Sequence, residues 1–504
     1  ADKWGKVLFP EASRINDTTY GYNRAKMAWY RIDNSFFNTT APDIVKNNPD
    51  SLQNHYVRLV PTVEVFPNKP VQTLDQNLYT FDLSYFPKER GPYNYEWSNN
   101  PTPGVSAGIN NDGSLKSPNT RWGGIMRSID NNDLEATNVE FIEFWMLDPF
   151  LYNTTSQGGK LYFNLGNISE DILRDSRMSF ENGITVDGSA MDSTTWGRVP
   201  RLPPLVDAFN IDENERVIQD VGYDEMNDDL ERQRKSAFLN KVQPNVTQAA
   251  FDKLNSDPSS DDYKYFRDEN IYGSVASVIT RYKDFCGTEG NSPVQSGNSV
   301  QTNAQTNLPE KEDLNKDNSL NENEEYFQYE IDLKPGMDVG NNPYIVSKVE
   351  GTGTDNNGVQ NRWLQFRIPI RQYTSRVGSI PDFKSIQFLR MFLTGWNDEV
   401  VLRFGTLELV RNQWRTYTLP LDEPCEQLSV ENDPPFLNVA SVSIEENSAK
   451  KPVNYVLPPN IQREQALGQQ TNQFVQQNEQ ALSMTVCNLK DCRTKALFKN
   501  INMD

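Results

Sequence analysis

The most informative stretch of this 504-residue sequence runs from residue 139 to residue 146 and reads VEFIEFWM. In an extended strand, Phe141 and Trp145 point to one side, whereas Phe144 and Met146 point to the other. Both faces are mostly apolar, which is typical of a central strand that is covered on both sides. The stretch therefore predicts a mainly β protein with packed layers.

The same pattern recurs about 250 residues later, where residues 386–393 read IQFLRMFL. Three further blocks repeat in the same order: 79–83 with 329–333, 121–127 with 362–367, and 163–168 with 402–407. Collinear blocks at nearly constant offset are unlikely by chance. We therefore expect two related jelly-roll-like β-sandwich domains, the first over residues 60–205 and its duplicate over 326–420.

The remaining segments differ in character. Residues 1–59 are strand-rich, and residues 421–504 form a β/loop segment that leads into further chain. Residues 206–325 are a partly helical insertion, with helices expected near residues 224–242 and 248–254. Within it, residues 287–325 are rich in Asn, Gln, Ser, Glu and Gly, which predicts a flexible loop.

Composition excludes several classes of function. The chain has 49 Lys and Arg against 69 Asp and Glu, a net charge of −20, so its surface repels phosphate backbones and nucleic acid is not an expected partner. The single histidine, His55, rules out a multi-histidine metal site. No apolar run approaches the ~18 residues of a transmembrane helix.

No catalytic motif stands out. Carboxylate pairs such as Glu140 with Glu143 are common by accident in so acidic a chain, and no Gly-x-Ser-x-Gly, Walker-type or His-Glu-x-x-His pattern occurs. We expect no catalytic or cofactor-binding residue and no enzyme. Asp212-x-Asn214 and residues 355–358 resemble calcium loops but lack the EF-hand Gly and Glu, so structural calcium stays open.

Two pairs of residues are singled out for structural roles. Cys487 and Cys492 have a spacing that suits a hairpin closed by a disulfide, with free thiols as the alternative. Glu143 and Arg390 are equivalent in the two copies and carry opposite charges on a largely buried face. Each is expected to meet a counter-charge in its own domain; the alternative is a pseudo-symmetric contact between the copies.

Several longer blocks resemble one known family. These blocks are YFPKERGPYN at 85–94, RWGGIMR at 121–127, VEFIEFWMLDPF at 139–150, GGKLYFNLGNISEDI at 158–172 and FLRMFLTGW at 388–396. Together they are similar to the SprA (Sov) family of cell-surface proteins in Bacteroidetes gliding motility and type IX secretion. The resemblance extends over most of the chain.

The resemblance implies a segment of a much longer outer-membrane β-barrel protein. Proteins of this family form the type IX secretion translocon, through which folded cargo with a C-terminal signal domain crosses the outer membrane. The implied partners are such cargo, plug and periplasmic proteins of the translocon, and the outer membrane through the rest of the chain. The implied location is the outer membrane or cell surface.

The alternative function is a cell-surface glycan-binding or adhesion module. Jelly-roll domains often stack sugars on exposed aromatic rings. The candidate tryptophans are Trp122, Trp145, Trp196, Trp363, Trp396 and Trp414.

Overall fold

A computed structural model describes residues 17–38, 52–70, 76–97, 105–273, 276–292, 306–412, 415–417, 436–451, 454–467, 474–487 and 496–498. Its strands are β1 (Ala25–Tyr30), β2 (Val60–Pro61), β3 (Asn77–Leu78), β4 (Phe81–Arg90), β5 (Trp122–Ser128), β6 (Val139–Leu147), β7 (Gly159–Asn167), β8 (Met191–Ser193), β9 (Arg198–Pro200), β10 (Glu325–Leu333), β11 (Ile345–Thr354), β12 (Gln360–Pro369), β13 (Ser375–Val377), β14 (Phe388–Thr394), β15 (Val400–Arg411), β16 (Arg415–Tyr417), β17 (Phe436–Ser443), β18 (Gln465–Leu467), β19 (Phe474–Gln476), β20 (Gln480–Cys487) and β21 (Ala496–Phe498).

The helices are short. They are α1 (Thr62–Val65), α2 (Glu213–Gln219), α3 (Asp228–Arg234), α4 (Ser236–Val242), α5 (Gln248–Ser256), α6 (Glu269–Tyr272), α7 (Val278–Tyr282) and α8 (Ile444–Asn447). Among the described residues, none of these is long and apolar enough to cross a lipid bilayer. The helices α3, α4 and α5 confirm the helical segments expected near residues 224–242 and 248–254.

Two antiparallel sheets form the centre of the fold, and the protein is mainly β as expected. Sheet I has six strands in the order β1-β4-β15-β6-β12-β11, and sheet II has five in the order β13-β10-β7-β14-β5. Every neighbouring pair in both sheets is antiparallel. The sheets pack face to face, with the rings of Phe144 on β6 and Phe163 on β7 at 5.7 Å.

Strands of the two repeated segments alternate within each sheet. In sheet I, β15 of the second segment lies between β4 and β6 of the first, and in sheet II, β7 of the first lies between β10 and β14 of the second. The expectation of one sandwich per segment is therefore wrong, because residues 60–205 and 326–420 build one shared pair of sheets. The sequence pattern reports the faces of each strand but not its neighbours, so it could not reveal this exchange.

The repeat itself is visible in the strand order. The strands β4, β15, β6 and β12 are consecutive in sheet I, and their counterparts in the other segment are β10, β7, β14 and β5, which are consecutive in sheet II. Exchanging the two segments therefore converts one sheet into the other. The described fold is consistent with duplication followed by interlocking of the two copies.

The centre of the core is built from both segments. Phe144 on β6 stacks on Phe366 of β12 at 4.8 Å and meets Phe404 of β15 edge-on at 5.4 Å. All three rings are buried. Because these strands come from opposite segments, neither segment can complete this core alone.

Residues 306–325 are packed, although they fall inside the segment expected to be a flexible loop. The side chain of Glu312 is fully buried and accepts hydrogen bonds from the backbone N–H groups of Ile172, Leu173 and Ser179. Hydrogen bonds to a carboxylate thus order a segment that has little apolar surface to bury. Residues 293–305 lie outside the described residues.

This packing is reciprocal between two similar motifs, EDILRDS at 170–176 and EDLNKDN at 312–318. Glu170 accepts from the backbone N–H groups of Leu314 and Asn315, as Glu312 does from the first motif. In each motif, the Asp after that Glu accepts from the N–H groups four and five residues later. The two motifs therefore bind each other through reciprocal hydrogen bonds beside the β7–β10 pair.

Candidate functional site

A cluster of carboxylates lies where the helical insertion meets the end of β4. We call it the acidic cluster, and its members are Asp224, Asp228, Glu231, Asp257, Asp261, Asp262 and Glu289. Oxygens of Asp224, Glu231 and Asp261, the inner trio, all lie within 4.8 Å of one another. The same holds for oxygens of Asp228, Asp262 and Glu289, the outer trio, and for Asp228, Glu231 and Asp257.

Helix α3 sets two of these side chains on one face. The Asn227 side chain caps the helix by accepting from the Leu230 N–H at 3.1 Å, and Asp228 and Glu231 follow with a spacing of three. Acidic residues are favourable in the first helical turn, where they face the positive end of the helix dipole. The sequence therefore places both carboxylates at this end of α3.

The loop after α5 supplies three more carboxylates. Asp257 accepts from the backbone N–H of Asp261 at 3.1 Å, and Ser260 between them has a left-handed φ of 59°. Glu231 Oε2 accepts from the Ser259 N–H at 3.1 Å, which ties the loop to α3. This tight turn brings Asp261 under the helix.

The cluster is fastened to the segment that follows β4. The Tyr93 hydroxyl donates to Asp261 Oδ2 at 2.8 Å and accepts from the Tyr223 N–H at 2.9 Å. Arg90, the last residue of β4, donates to the Pro258 carbonyl at 2.7 Å. A Cβ on Gly222, whose φ is +77°, would lie 2.5 Å from Asp261 Oδ2, so only glycine allows this approach.

Several oxygens of the cluster have no hydrogen-bond donor among the described residues. They are Glu231 Oε1, Asp261 Oδ1, Asp228 Oδ1 and Glu289 Oε2. Glu231 and Asp261 are at most 1% exposed. Buried carboxylate oxygens are normally paired, so four unpaired oxygens at one place are a distinctive feature.

Nearby cations neutralise the cluster only in part, and among them Lys235 attracts the carboxylates of Asp224 and Glu231 electrostatically. Lys235 donates to the backbone carbonyl of Trp196, at 2.5 Å, and lies over the Tyr95 ring. The contacts of Arg232 with Asp228 and of Lys264 with Asp262 are long, at 3.9 and 4.0 Å. The carboxylates therefore face mainly one another.

This crowding changes the acidity of the groups. Burial, and then the neighbouring Asp224 carboxylate, raises the pKa of Glu231 to about 10. Burial, and then Asp228, raises the pKa of Glu289 to about 9, and burial raises the pKa of Asp261. Such oxygens are stable only when protons or a cation lie between them.

The structure gives Glu143 and Arg390 separate partners. Arg367 Nε lies 2.5 Å from Glu143 Oε2, and it belongs to β12 of the other segment. Arg390 pairs with both carboxylate oxygens of Glu324, each at 3.2 Å. Glu143 lies in sheet I and Arg390 in sheet II. The counter-charge of Glu143 is thus a contact between the two segments.

The other sequence candidates lie elsewhere. Asp212 caps α2 by accepting from the Asn214 N–H, and Asp355 accepts from Asn357 and Val359 N–H groups and from a tyrosine hydroxyl. Neither loop contributes to the acidic cluster. Cys487 ends β20 with an exposed side chain, whereas Cys492 lies outside the described residues, so the disulfide stays a prediction.

The acidic cluster could not be predicted from the sequence because its members are spread over residues 224–289. One local signal was available: residues 257–262 read DPSSDD, in which Pro and Ser predict a turn that brings the first and last carboxylates together. The partner acids on α3 and at Glu289 have no distinguishing spacing.

Residues 237–504 match a family model described as a motility-related or secretion protein, and no curated protein matches the chain. The matched part holds the whole second repeated segment, and therefore six of the eleven strands of sheets I and II. Since the match covers more than half of the sequence, the chain belongs to the SprA_N family. The family predicted from the sequence blocks is confirmed.

Proposed function

We propose that this chain is a structural segment of the type IX secretion translocon of Bacteroidetes, at the outer membrane and cell surface. In this role it forms or caps the conduit through which folded cargo with a C-terminal signal domain is exported, and it contributes to gliding motility. The observation that carries the proposal is the match of residues 237–504 to a motility and secretion family. The partners would be the cargo and the plug and periplasmic proteins of the translocon.

The interleaved sheets support a structural role. A conduit wall or cap must hold its shape while cargo passes, and a sandwich whose two halves pair strand by strand cannot separate into independent lobes. Ion pairs such as Glu143 with Arg367 also join the halves. We propose no catalytic step for the chain.

The positions of the tryptophans argue against the glycan-binding alternative. Trp145, Trp196, Trp363 and Trp396 are at most 3% exposed, so they cannot stack against a sugar. Trp122 is half-buried on β5, and Trp414 lies outside the described residues. The aromatic side chains that suggested a binding platform are thus mostly core.

An in-frame deletion within the full-length protein tests the proposal. Because strands of both segments share each sheet, the deletion must remove the whole sandwich, from Ala25 to Arg411, rather than one repeat. Outer-membrane fractionation measures the amount of the shortened protein, and release of a reporter with the C-terminal signal measures export. We expect the protein in the membrane and export abolished.

The control is Leu205→Ser, which alters a fully exposed side chain and should leave export unchanged. Export at the normal level by a membrane-inserted deletion variant would refute a role in the conduit. A glycan array probed with the 504-residue chain would then test the adhesion function.

A further inference from the structure

We propose that the acidic cluster is a calcium site that fastens the helical insertion to the rim of sheet I. The site has an enclosed position at the inner trio and an adjoining, more accessible position at the outer trio. This proposal does not depend on the secretion role.

The donor set points to a hard cation. Every group in the cluster offers oxygen, and carboxylate oxygens are the ligands of Ca²⁺ and Mg²⁺ rather than of softer metals. Glu231 Oε1 and Asp261 Oδ1 are buried, lack a donor among the described residues and belong to the trio whose oxygens lie within 4.8 Å. A cation among these oxygens would satisfy them.

Burial favours calcium over magnesium. Mg²⁺ usually keeps several waters and requires near-octahedral geometry, whereas Ca²⁺ accepts six to eight protein oxygens in irregular arrangements. Asp224, Glu231 and Asp261 are all at most 1% exposed, which leaves little room for a hydrated ion. The oxygens of Asp224 and Asp261 that accept hydrogen bonds do so from neutral serine or tyrosine hydroxyls or from backbone N–H.

The outer trio lies next to the enclosed position at the inner trio. Asp228 lies in the outer trio and also within 4.8 Å of oxygens from Glu231 and Asp257. Asp228, Asp262 and Glu289 are half-buried, so an ion there could exchange with solvent. We therefore expect one tightly held ion and a second, weaker one.

The ligands come from separate segments of the chain, so a bound ion would hold these segments together. Asp224 and Glu231 belong to the turn before α3 and to α3, Asp261 to the loop after α5, and Glu289 to a third segment that bridges to Asp262. The loop after α5 also contacts the segment following β4 through Tyr93. Without the ion, repulsion among the carboxylates would loosen these contacts unless protons replaced it.

Metal binding can be measured on the whole 504-residue chain. After treatment with EDTA and desalting, we expect the chain to retain one to two equivalents of added Ca²⁺ by elemental analysis. At 100 times Kd, the apparent Tm should rise by about 2–3 °C. Tb³⁺ should give tyrosine-sensitised emission, because Tyr93 touches Asp261, and Ca²⁺ should displace it.

Variants distinguish binding at the cluster from a general salt effect. Glu231→Gln and Asp261→Asn should lose the Ca²⁺-dependent rise in Tm, yet in EDTA they should be at least as stable as the unmodified chain, because carboxylate repulsion is removed. The matched control is Glu312→Gln, a fully buried carboxylate whose oxygens accept backbone N–H bonds. It should lower Tm in both buffers and keep the calcium response.

Three results would overturn the proposal. The first is an equal Tm in Ca²⁺ and EDTA for the unmodified chain. The second is an unchanged calcium response in Glu231→Gln, or its loss in Glu312→Gln. The third is an equal effect of Mg²⁺ at the same concentration, which would contradict the selectivity derived from burial.

Discussion

Replacing Phe144 with alanine tests whether the two repeated segments share one core. The ring of Phe144 contacts Phe366 and Phe404 from the second segment and Phe163 from the first, at centroid distances of 4.8, 5.4 and 5.7 Å. Phe144 is 0% exposed. The substitution therefore removes a ring that touches three other strands in both sheets.

The expected loss of unfolding free energy follows from the burial of the Phe144 ring and from its aromatic contacts. Removal of a buried phenylalanine ring costs about 3–5 kcal/mol, and the rigid neighbouring strands on both sides favour the upper part of this range. The stacked pair with Phe366 should add a coupling energy of about 0.5–1.5 kcal/mol. A double-mutant cycle of Phe144→Ala and Phe366→Ala measures that coupling directly.

Urea unfolding gives the free energies, and hydrogen exchange with mass spectrometry shows where protection is lost. We expect Phe144→Ala to reduce protection in β4 and β6 and equally in β10 and β12, which belong to the other segment. The control is Val346→Ala, which alters a partly exposed side chain on the edge strand β11. It should change neither the free energy of unfolding nor the pattern of hydrogen-exchange protection. Loss confined to residues 60–205, with no coupling to Phe366, would refute the shared core.

Three further predictions concern charged groups. Glu143→Gln breaks the ion pair with Arg367 between the segments and should cost about 1–3 kcal/mol in urea unfolding; unchanged stability would show that this contact does not hold them together. Glu96→Gln leaves Arg121, its 0% exposed partner at 2.6 Å, without a counter-charge, and a thermal melt should reveal a loss of about 3–5 kcal/mol, whereas a loss below 1 kcal/mol would contradict it. In EDTA, the free energy of unfolding should fall as pH rises from 5 to 8. The pKa of Glu231 is raised to about 10 in the folded chain, so the folded chain keeps a proton that the unfolded chain releases. Urea unfolding that shows increasing stability over this pH range would contradict the prediction.

The strands were predictable from sequence, whereas their pairing was not. A run that is apolar on both faces located β6, its repeat located β14, and the repeated blocks identified β4 and β10 as counterparts in the two segments. The assignment of each segment to its own sandwich failed because a strand that is apolar on both faces can accept any central neighbour. Pairing is decided by contacts such as that of Phe144 with Phe366, which are more than 200 residues apart.

The sequence pattern also could not predict segments that are ordered by hydrogen bonds rather than by apolar burial. Residues 306–325 have the composition of a flexible segment, yet Glu312 orders them through three backbone N–H groups. Composition measures how much apolar surface a segment can bury, and it does not count such bonds. The acidic cluster was missed for a related reason, since its function depends on which of many similar carboxylates converge.

The alternation of strands has a consequence for how the chain must fold during synthesis. Of the first-segment strands β4, β5, β6 and β7, only β4 pairs within the two described sheets with a strand that is made earlier, namely β1. At about 5–20 residues per second, β6 waits roughly 11 to 43 s until its first neighbour, β12, emerges at residue 360. During that interval its edges and apolar faces are exposed to aggregation. We therefore expect the nascent first half to need protection by a holding chaperone, and a stop codon after the first repeat should yield an insoluble product.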